Sequence, residues 1–225
     1  MNDPHITRIE SGGVNCYLVK GEDGSVLIDT GYAKHRDIIT AALDQAGCKD
    51  LKLIILTHGD FDHVGNCAYL KKRFGCRAAI HRDDVGMVEK GDLFWNREMG
   101  LAKRVIGRMF AFLMRIGLGK EDRFSPDLLL DDGQSLAQFG FDATVHHLPG
   151  HSKGSIGLLT VDGSFFCGDL FANVSMPKKA TLISNYDDYS RSLETVQKLD
   201  IQAVYPGHGM PFHKEALSSI FQEEN

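Results

Sequence analysis

Residues 51–57, LKLIILT, are apolar at nearly every position and run straight into HGDFDH, which holds four potential metal-binding side chains. So short and apolar a run reads as a strand buried on both faces of a sheet rather than as an amphipathic helix. The His/Asp segment behind it is then fixed at the rim of that sheet, where a strand gives way to a helix and where ligands normally bind. The chain must therefore cover a sheet on both sides and end its central strand at a polar edge.

The flanking sequence supplies the partners. VNCYLVKG (14–21) and SVLIDTG (25–31) read as strands joined by the turn-forming Glu22-Asp23-Gly24. A helix over 33–46 ends at Gly47, a second runs to Phe74 and stops at Gly75, and RAAIH (77–81) is a short strand. This alternation predicts helices packed on a sheet. The second half is richer in strands: DLLLDDG (127–133), ATVHHLP (143–149), then SIGLLTV (155–161) and SFFCG (164–168) as a hairpin around Asp162-Gly163. A helix at about 189–199, the strand AVYP (203–206) and a final helix close the chain.

At 225 residues this is one domain, 1–225, with a helical insertion at about 85–124. Within the insertion, positions 99, 102, 106, 109, 110, 113 and 116 form an apolar helical stripe, while Lys103, Arg104, Arg108 and Arg115 point elsewhere. From Arg97 to Arg123 there are seven basic and three acidic residues, a local +4 that leaves −9 for the rest of the chain. Three readings stand: a helix packed on the domain, a lid or dimerisation element over the active site, or docking on a membrane surface.

Charge and composition narrow the function. A net charge of −5 argues against a general nucleic-acid binder. The N-terminus has no apolar run behind a basic start, so no signal peptide is expected, and no segment reads as transmembrane. Five cysteines (16, 48, 67, 76, 167) without CxxC spacing suggest free thiols in a reducing cytoplasm.

The chemistry lies at the strand ends. Asp60 or Asp62 alone could cap the following helix, but two histidines among them favour a metal. Imidazole nitrogen with carboxylate oxygen suits zinc, iron or manganese better than calcium. His151 in LPGHSKGS, Asp169 after Cys167-Gly168, and His208 in YPGHG each follow another apolar strand.

Together, from Leu27 to His208, these segments resemble the metallo-β-lactamase superfamily, whose usual pattern is HxHxDH, a His, a bridging Asp and a final His, with an early Asp in a strand-turn. Here the pattern falls on His58, Asp60, Asp62, His63, His151, Asp169 and His208, with Asp29 of LIDTG as the early Asp. The resemblance implies an α/β fold, a four-layer αββα sandwich of two mixed β-sheets flanked by helices, with the metal site at one edge. It implies two divalent metal ions, zinc first, with iron or manganese as alternatives. His58, Asp60 and His151 would hold one, and Asp62, His63 and His208 the other, with Asp169 bridging. The implied reaction is attack of a metal-bound hydroxide, oriented by Asp62, on an ester, thioester, lactone or related bond of a small-molecule substrate. Asp29 would brace the ligand loop.

One position departs from the pattern. Asp60 stands where hydrolases of the family usually have His, which makes the first site harder and more anionic and favours iron or manganese relative to zinc. A side chain that short also leaves open a weakly held first metal. The same carboxylate motivates a second reading, a flavodiiron-like di-iron redox protein acting with a separate electron donor. Among other residues, His146 and His147 alternate on a strand and His81 ends another. Lys153, Lys178 and Lys179 could meet an anion, and Tyr186 could donate a hydrogen bond. Trp95 could join the insertion's Phe residues in an apolar wall, and the insertion could mediate a homodimer.

Overall fold

The computed structural model describes residues 3–21, 24–114 and 116–222, so Glu22 and Asp23 of the expected turn, and Arg115, lie outside the described residues. In chain order the elements are β1 (Ile6–Ser11), β2 (Val14–Gly21), β3 (Gly24–Ile28), α1 (Arg36–Gln45), β4 (Leu51–Ile55), α2 (Phe61–Val64), α3 (Cys67–Phe74), β5 (Arg77–His81), α4 (Val85–Lys90) and α5 (Leu101–Met114). The second half contains β6 (Leu128–Leu130), β7 (Ala143–His147), β8 (Ile156–Thr160), β9 (Ser164–Asn173), β10 (Lys178–Lys179), α6 (Tyr186–Val196), β11 (Ala203–Gly209), β12 (Phe212–His213) and α7 (Glu215–Gln222).

Two mixed sheets form. One runs β1-β2-β3-β4-β5-β6, the other β12-β11-β9-β8-β7 with β10 on β9. In the first, β3 to β6 are parallel and β1 and β2 join antiparallel; in the second, only β9 and β11 are parallel. Strand alternation sorts the apolar side chains into layers. Val26, Ile28, Leu53 and Ile55 face Val145, Ile156, Leu158 and Phe166 between the sheets. Leu27, Ile54 and Leu56 point the other way, onto Ile39, Leu43 and Leu70 of α1 and α3. Phe165 and Cys167 likewise turn outward onto Leu193 and Val196 of α6 and Leu217 of α7. The result is the four-layer αββα sandwich. All five cysteines are buried and free.

The insertion divides in two. In α4, Met87 and Val88 are buried against the body of the domain. No residue of α5 is buried: of the stripe, Ile106, Phe110 and Leu113 are 61%, 57% and 70% exposed, so the first of the three readings, a stripe packed on the domain, is not what the structure shows. Among the described residues no helix is long and apolar enough to cross a membrane.

At the edge where the ligand-bearing loops emerge, hydrogen bonds join the sheets. Ile156 N–H donates to Thr57 O at 2.8 Å. The Tyr17 hydroxyl donates to Pro206 O at 2.7 Å, and the amide of fully buried Asn15 donates to Pro206 O (2.9 Å) and Gly209 O (2.7 Å), on either side of His208. Removing both Asn15 donors leaves Gly209 O without this partner, so Asn15→Leu should cost about 2–3 kcal/mol, whereas Tyr17→Phe, which leaves Pro206 O bonded, should cost about 1 kcal/mol. Urea unfolding of the two variants checks the ranking, and a reversed order would mean that the hydroxyl is the principal tie.

Candidate metal centre

Two buried aspartates build the frame. Asp29, just past β3, sits at φ 58°, a left-handed backbone that Asp tolerates better than most residues. Its carboxylate accepts from Thr57 N, Thr57 Oγ1 and His63 Nδ1, each at 2.8 Å, which makes it the brace expected from the sequence. Asp84, at the start of α4, accepts from Gly59 N (2.8 Å), Gly154 N (2.8 Å), Ser152 Oγ (2.7 Å) and the Asn96 amide. It thereby ties the loop of His58 to the loop of His151. Burial raises its carboxyl above the usual range although these donors pull it back.

The hydrogen bonds also set the tautomers. Thr57 Oγ1 gives its proton to Asp29 and so accepts from His58 Nδ1 at 3.0 Å. His63 Nδ1 donates to Asp29, His151 Nδ1 to Leu182 O (2.6 Å), and His208 Nδ1 to Gly13 O (2.8 Å). All four imidazoles therefore donate through Nδ1 and turn Nε2 inward, where it can serve as a ligand once it carries no proton. The Nε2 atoms of His63 and His208 face each other at 3.4 Å, and buried His58 Nε2 has no partner. The rings of His58 and His151 are almost perpendicular (87°, 4.7 Å between centroids), as are those of His63 and His208 (74°, 5.4 Å), so their edges converge.

The donors form two groups, His58 with His151 and Asp169, and Asp62 with His63 and His208, with the ligand atoms of each within 4.8 Å of one another. Asp169 stands between the groups. Its Oδ2 is 3.8 Å from His151 Nε2 and 3.3 Å from His208 Nε2, and its Oδ1, 3.3 Å from His63 Nε2, is buried without an aligned hydrogen bond. Asp60 Oδ2 is 3.1 Å from His151 Nε2 and 3.8 Å from His58 Nε2, while both its oxygens lie 2.6 Å from Arg97 Nη2. Converging Nε2 atoms and orphaned buried acceptors are costly unless a cation lies among them, so the residues present fit a pair of divalent ions.

The electrostatics agree with this fit. Burial, then neighbouring His63 and His151, hold His58 well below the ordinary imidazole range. Burial works the same way on His63, but Asp169 and Asp29 outweigh it and raise the pKa, and carboxylates do the same at His151 and His208. Burial opposes ionisation of Asp60 and Asp169, yet Arg97 at the first and His63 at the second hold them well below the usual carboxylate range. Asp62 is raised, chiefly by burial.

The remaining candidates separate clearly. His81 and His147 stack face to face at 3.9 Å and 11°, close to Asp83. Their in-plane lone pairs run parallel and do not converge, so this cluster is packing. Lys178 lines a cavity of ≈ 250 Å³ together with His151, Asp169, Leu182 and His208. Lys153 is exposed on its turn and Tyr186 is 71% exposed at the start of α6. Trp95 packs over Gly86 of α4 with Lys90 Nζ 3.4 Å above its ring, whereas Phe94 and Phe112 line a different cavity of ≈ 640 Å³. Three residues that matter here carried no motif in the sequence: Asp84, Asn15 and Arg97.

Comparison with known proteins follows the same lines. The family model described as Metallo-beta-lactamase superfamily matches residues 10–208. The bovine protein named acyl-coenzyme A thioesterase MBLAC2 is 30% identical over 228 residues, covering 92% of this chain and 77% of the relative. The hydroxyacylglutathione hydrolase GloC of Haemophilus influenzae is 28% identical over 200 residues, covering 87% and 85%. Among solved structures, TTHA1623 in a di-iron-bound form superposes with a TM-score of 0.71 at 27% identity, covering 96% of this chain and 97% of that one.

A methyl group on Gly207 would lie 2.4 Å from Asp169 Oδ1 and 2.7 Å from His63 Cε1. Gly207→Ala should therefore lower bound metal at least about ten-fold, the scale on which disturbed ligand orientation acts. Elemental analysis of the purified variant checks this, and full metal content would mean that the loop yields. A second expectation concerns His81, which burial and then His147 depress to about 4. Between the ordinary imidazole value and pH 4 the unfolded chain binds a proton that the folded chain refuses, so this contribution to stability is lost as pH falls. His81→Phe should reduce the loss of stability between pH 7 and 4.5 by roughly 1 kcal/mol, after discounting for solvent near the ring. Parallel urea midpoints at the two pH values would expose an error.

Proposed function

The chain belongs to the metallo-β-lactamase superfamily as a metallo-hydrolase, and from that premise we propose that it cleaves acyl thioesters of an anionic carrier thiol, with zinc or iron at the centre. The observation that carries the reading is the ring of four inward Nε2 atoms around Asp169. The relatives support thioesters as the substrate class, because the bovine and bacterial proteins are named for acyl-coenzyme A and hydroxyacylglutathione respectively. The flavodiiron-like alternative finds no support in these relatives, which are named as hydrolases.

When bound, the metal pair supplies a water activated near neutral pH and polarises the substrate carbonyl. The chain does the rest. Asp29, Thr57, Leu182 O and Gly13 O hold the imidazole tautomers, so no reorganisation is needed as charge develops. Asp62 lies 3.9 Å from His63 Nε2 and 3.7 Å from His208 Nε2, a position suited to orient the water and accept its proton. Lys178, on the wall of the ≈ 250 Å³ cavity, presents a cation to the anionic carrier. A thiol of pKa about 8.5 leaves as its thiolate without a donated proton, which suits a site whose other carboxylates, Asp60 and Asp169, are held ionised.

Loaded with zinc or iron, the protein should hydrolyse acyl-coenzyme A or acylglutathione thioesters faster than matched oxygen esters. Asp169→Asn should lose at least about a hundred-fold in kcat together with metal. Oxygen esters cleaved as fast as thioesters would remove the substrate assignment, and full activity in Asp169→Asn would remove the site.

A further inference from the structure

Arg97 stood out in the sequence only as one basic residue among several, yet its guanidinium is built into the metal centre. Nη2 lies 2.6 Å from both carboxylate oxygens of Asp60, Nη1 donates to His151 O at 3.3 Å, and Nε donates to Leu93 O at 3.1 Å. Arg104 Nη2 in turn holds Arg97 O at 3.0 Å. The Arg97 and Asp60 side chains are only 12% and 10% exposed, so water screens their pairing little. The guanidinium thus touches the segment of His58 through Asp60 and the segment of His151 through its carbonyl, and among the described contacts it makes none with Asp62, His63 or His208.

We infer that Arg97 is a positioning residue that makes the two metal sites unequal, by holding Asp60 away from full service as a ligand to the metal between His58, His151 and Asp169. The inference rests on the metal-centre reading above. A carboxylate has lone pairs on both oxygens, and Oδ2 still faces His151 and His58, so Asp60 can be shared between guanidinium and metal. Sharing weakens it twice over. The guanidinium takes up part of the carboxylate's charge, and as a cation that stays protonated it repels a divalent ion placed beside it. The group formed by Asp62, His63 and His208 has no arginine against its carboxylate among the described contacts. That site fills first and holds its ion more tightly, and the Arg97 site fills second.

Chelator-stripped protein titrated with zinc against a chromophoric competitor tests this without any assay of turnover. The wild type should show two separated steps. Arg97→Met should tighten the weaker step about ten-fold or more and leave the tighter one within about two-fold, while Arg97→Lys, which keeps the charge, should move it less. Circular dichroism and unfolding of the stripped variants check the fold, and Arg97→Gln replaces the Met variant if that one does not fold. An unchanged or weakened second step in a folded, neutral variant overturns the inference. Two equal steps in the wild type overturn it as well, while leaving the metal centre in place. Absence of zinc binding in the wild type overturns the metal-centre reading and this inference with it.

Discussion

The carboxylate of Asp29 is the interaction on which the site depends. It receives the backbone of Thr57, the hydroxyl of Thr57 and the ring of His63, so one charged group sets where β4 ends and how two of the histidines face. Through Thr57 Oγ1 it also reaches His58, because the hydroxyl hydrogen is directed to Asp29 and an oxygen lone pair is left to accept from His58 Nδ1. The left-handed backbone at Asp29 turns the chain sharply enough for its side chain to point back under the ligand loop. Hydrogen bonds to a charged group are stronger than neutral ones, and burial strengthens them further. A local backbone strain is thereby held at the place where ligand geometry must be rigid.

The sandwich gives that carboxylate a fixed platform. Alternating side chains on β3, β4 and β9 fill a layer between the sheets and a layer outside each, so no strand bearing a ligand loop can shift without disturbing two layers at once. At the site edge the two sheets are further joined through Thr57, Asn15 and Tyr17. Asp84 adds a tie between the loops of His58 and His151. The ligands thus come from segments far apart in sequence, but their supports are shared.

Much of this was legible in the sequence because the signal is local. An apolar strand followed at once by HGDFDH, and three further apolar runs leading into His151, Asp169 and His208, can be read within windows of ten residues. The same holds for the helices stopped at Gly47 and Gly75, both with the positive φ that ends a helix. However, β9 and β11 extend past Asp169 and His208, which lie within those strands and not after their ends. What escaped was set by tertiary contact. β1 has mostly half-buried residues and no clear apolar alternation, and β10 and β12 are two residues long, too short for any periodic pattern. Asn15 finds its acceptors more than 190 residues away, and Asp84 draws two of its donors from the loop after β7. The stripe on α5 announced a helix but carried no information on what it packs against.

Position 60 shows how the insertion and the metal centre belong to one design. A carboxylate at that place adds a negative charge to a pocket already holding Asp62 and Asp169, and buried like charges raise one another's pKa. Arg97, reaching in from the segment before α5, cancels that added charge and keeps Asp60 ionised despite burial. Without the arginine the carboxylate would be a stronger ligand but also a repulsive neighbour in the metal-free protein, so the pairing trades metal affinity at one site for stability of the empty pocket. The segment from Asp92 to Arg97 is therefore more than a connection to an exposed helix. It supplies Asn96 to Asp84, which holds the backbone of Gly59, and Arg97 to both oxygens of Asp60 on the same loop.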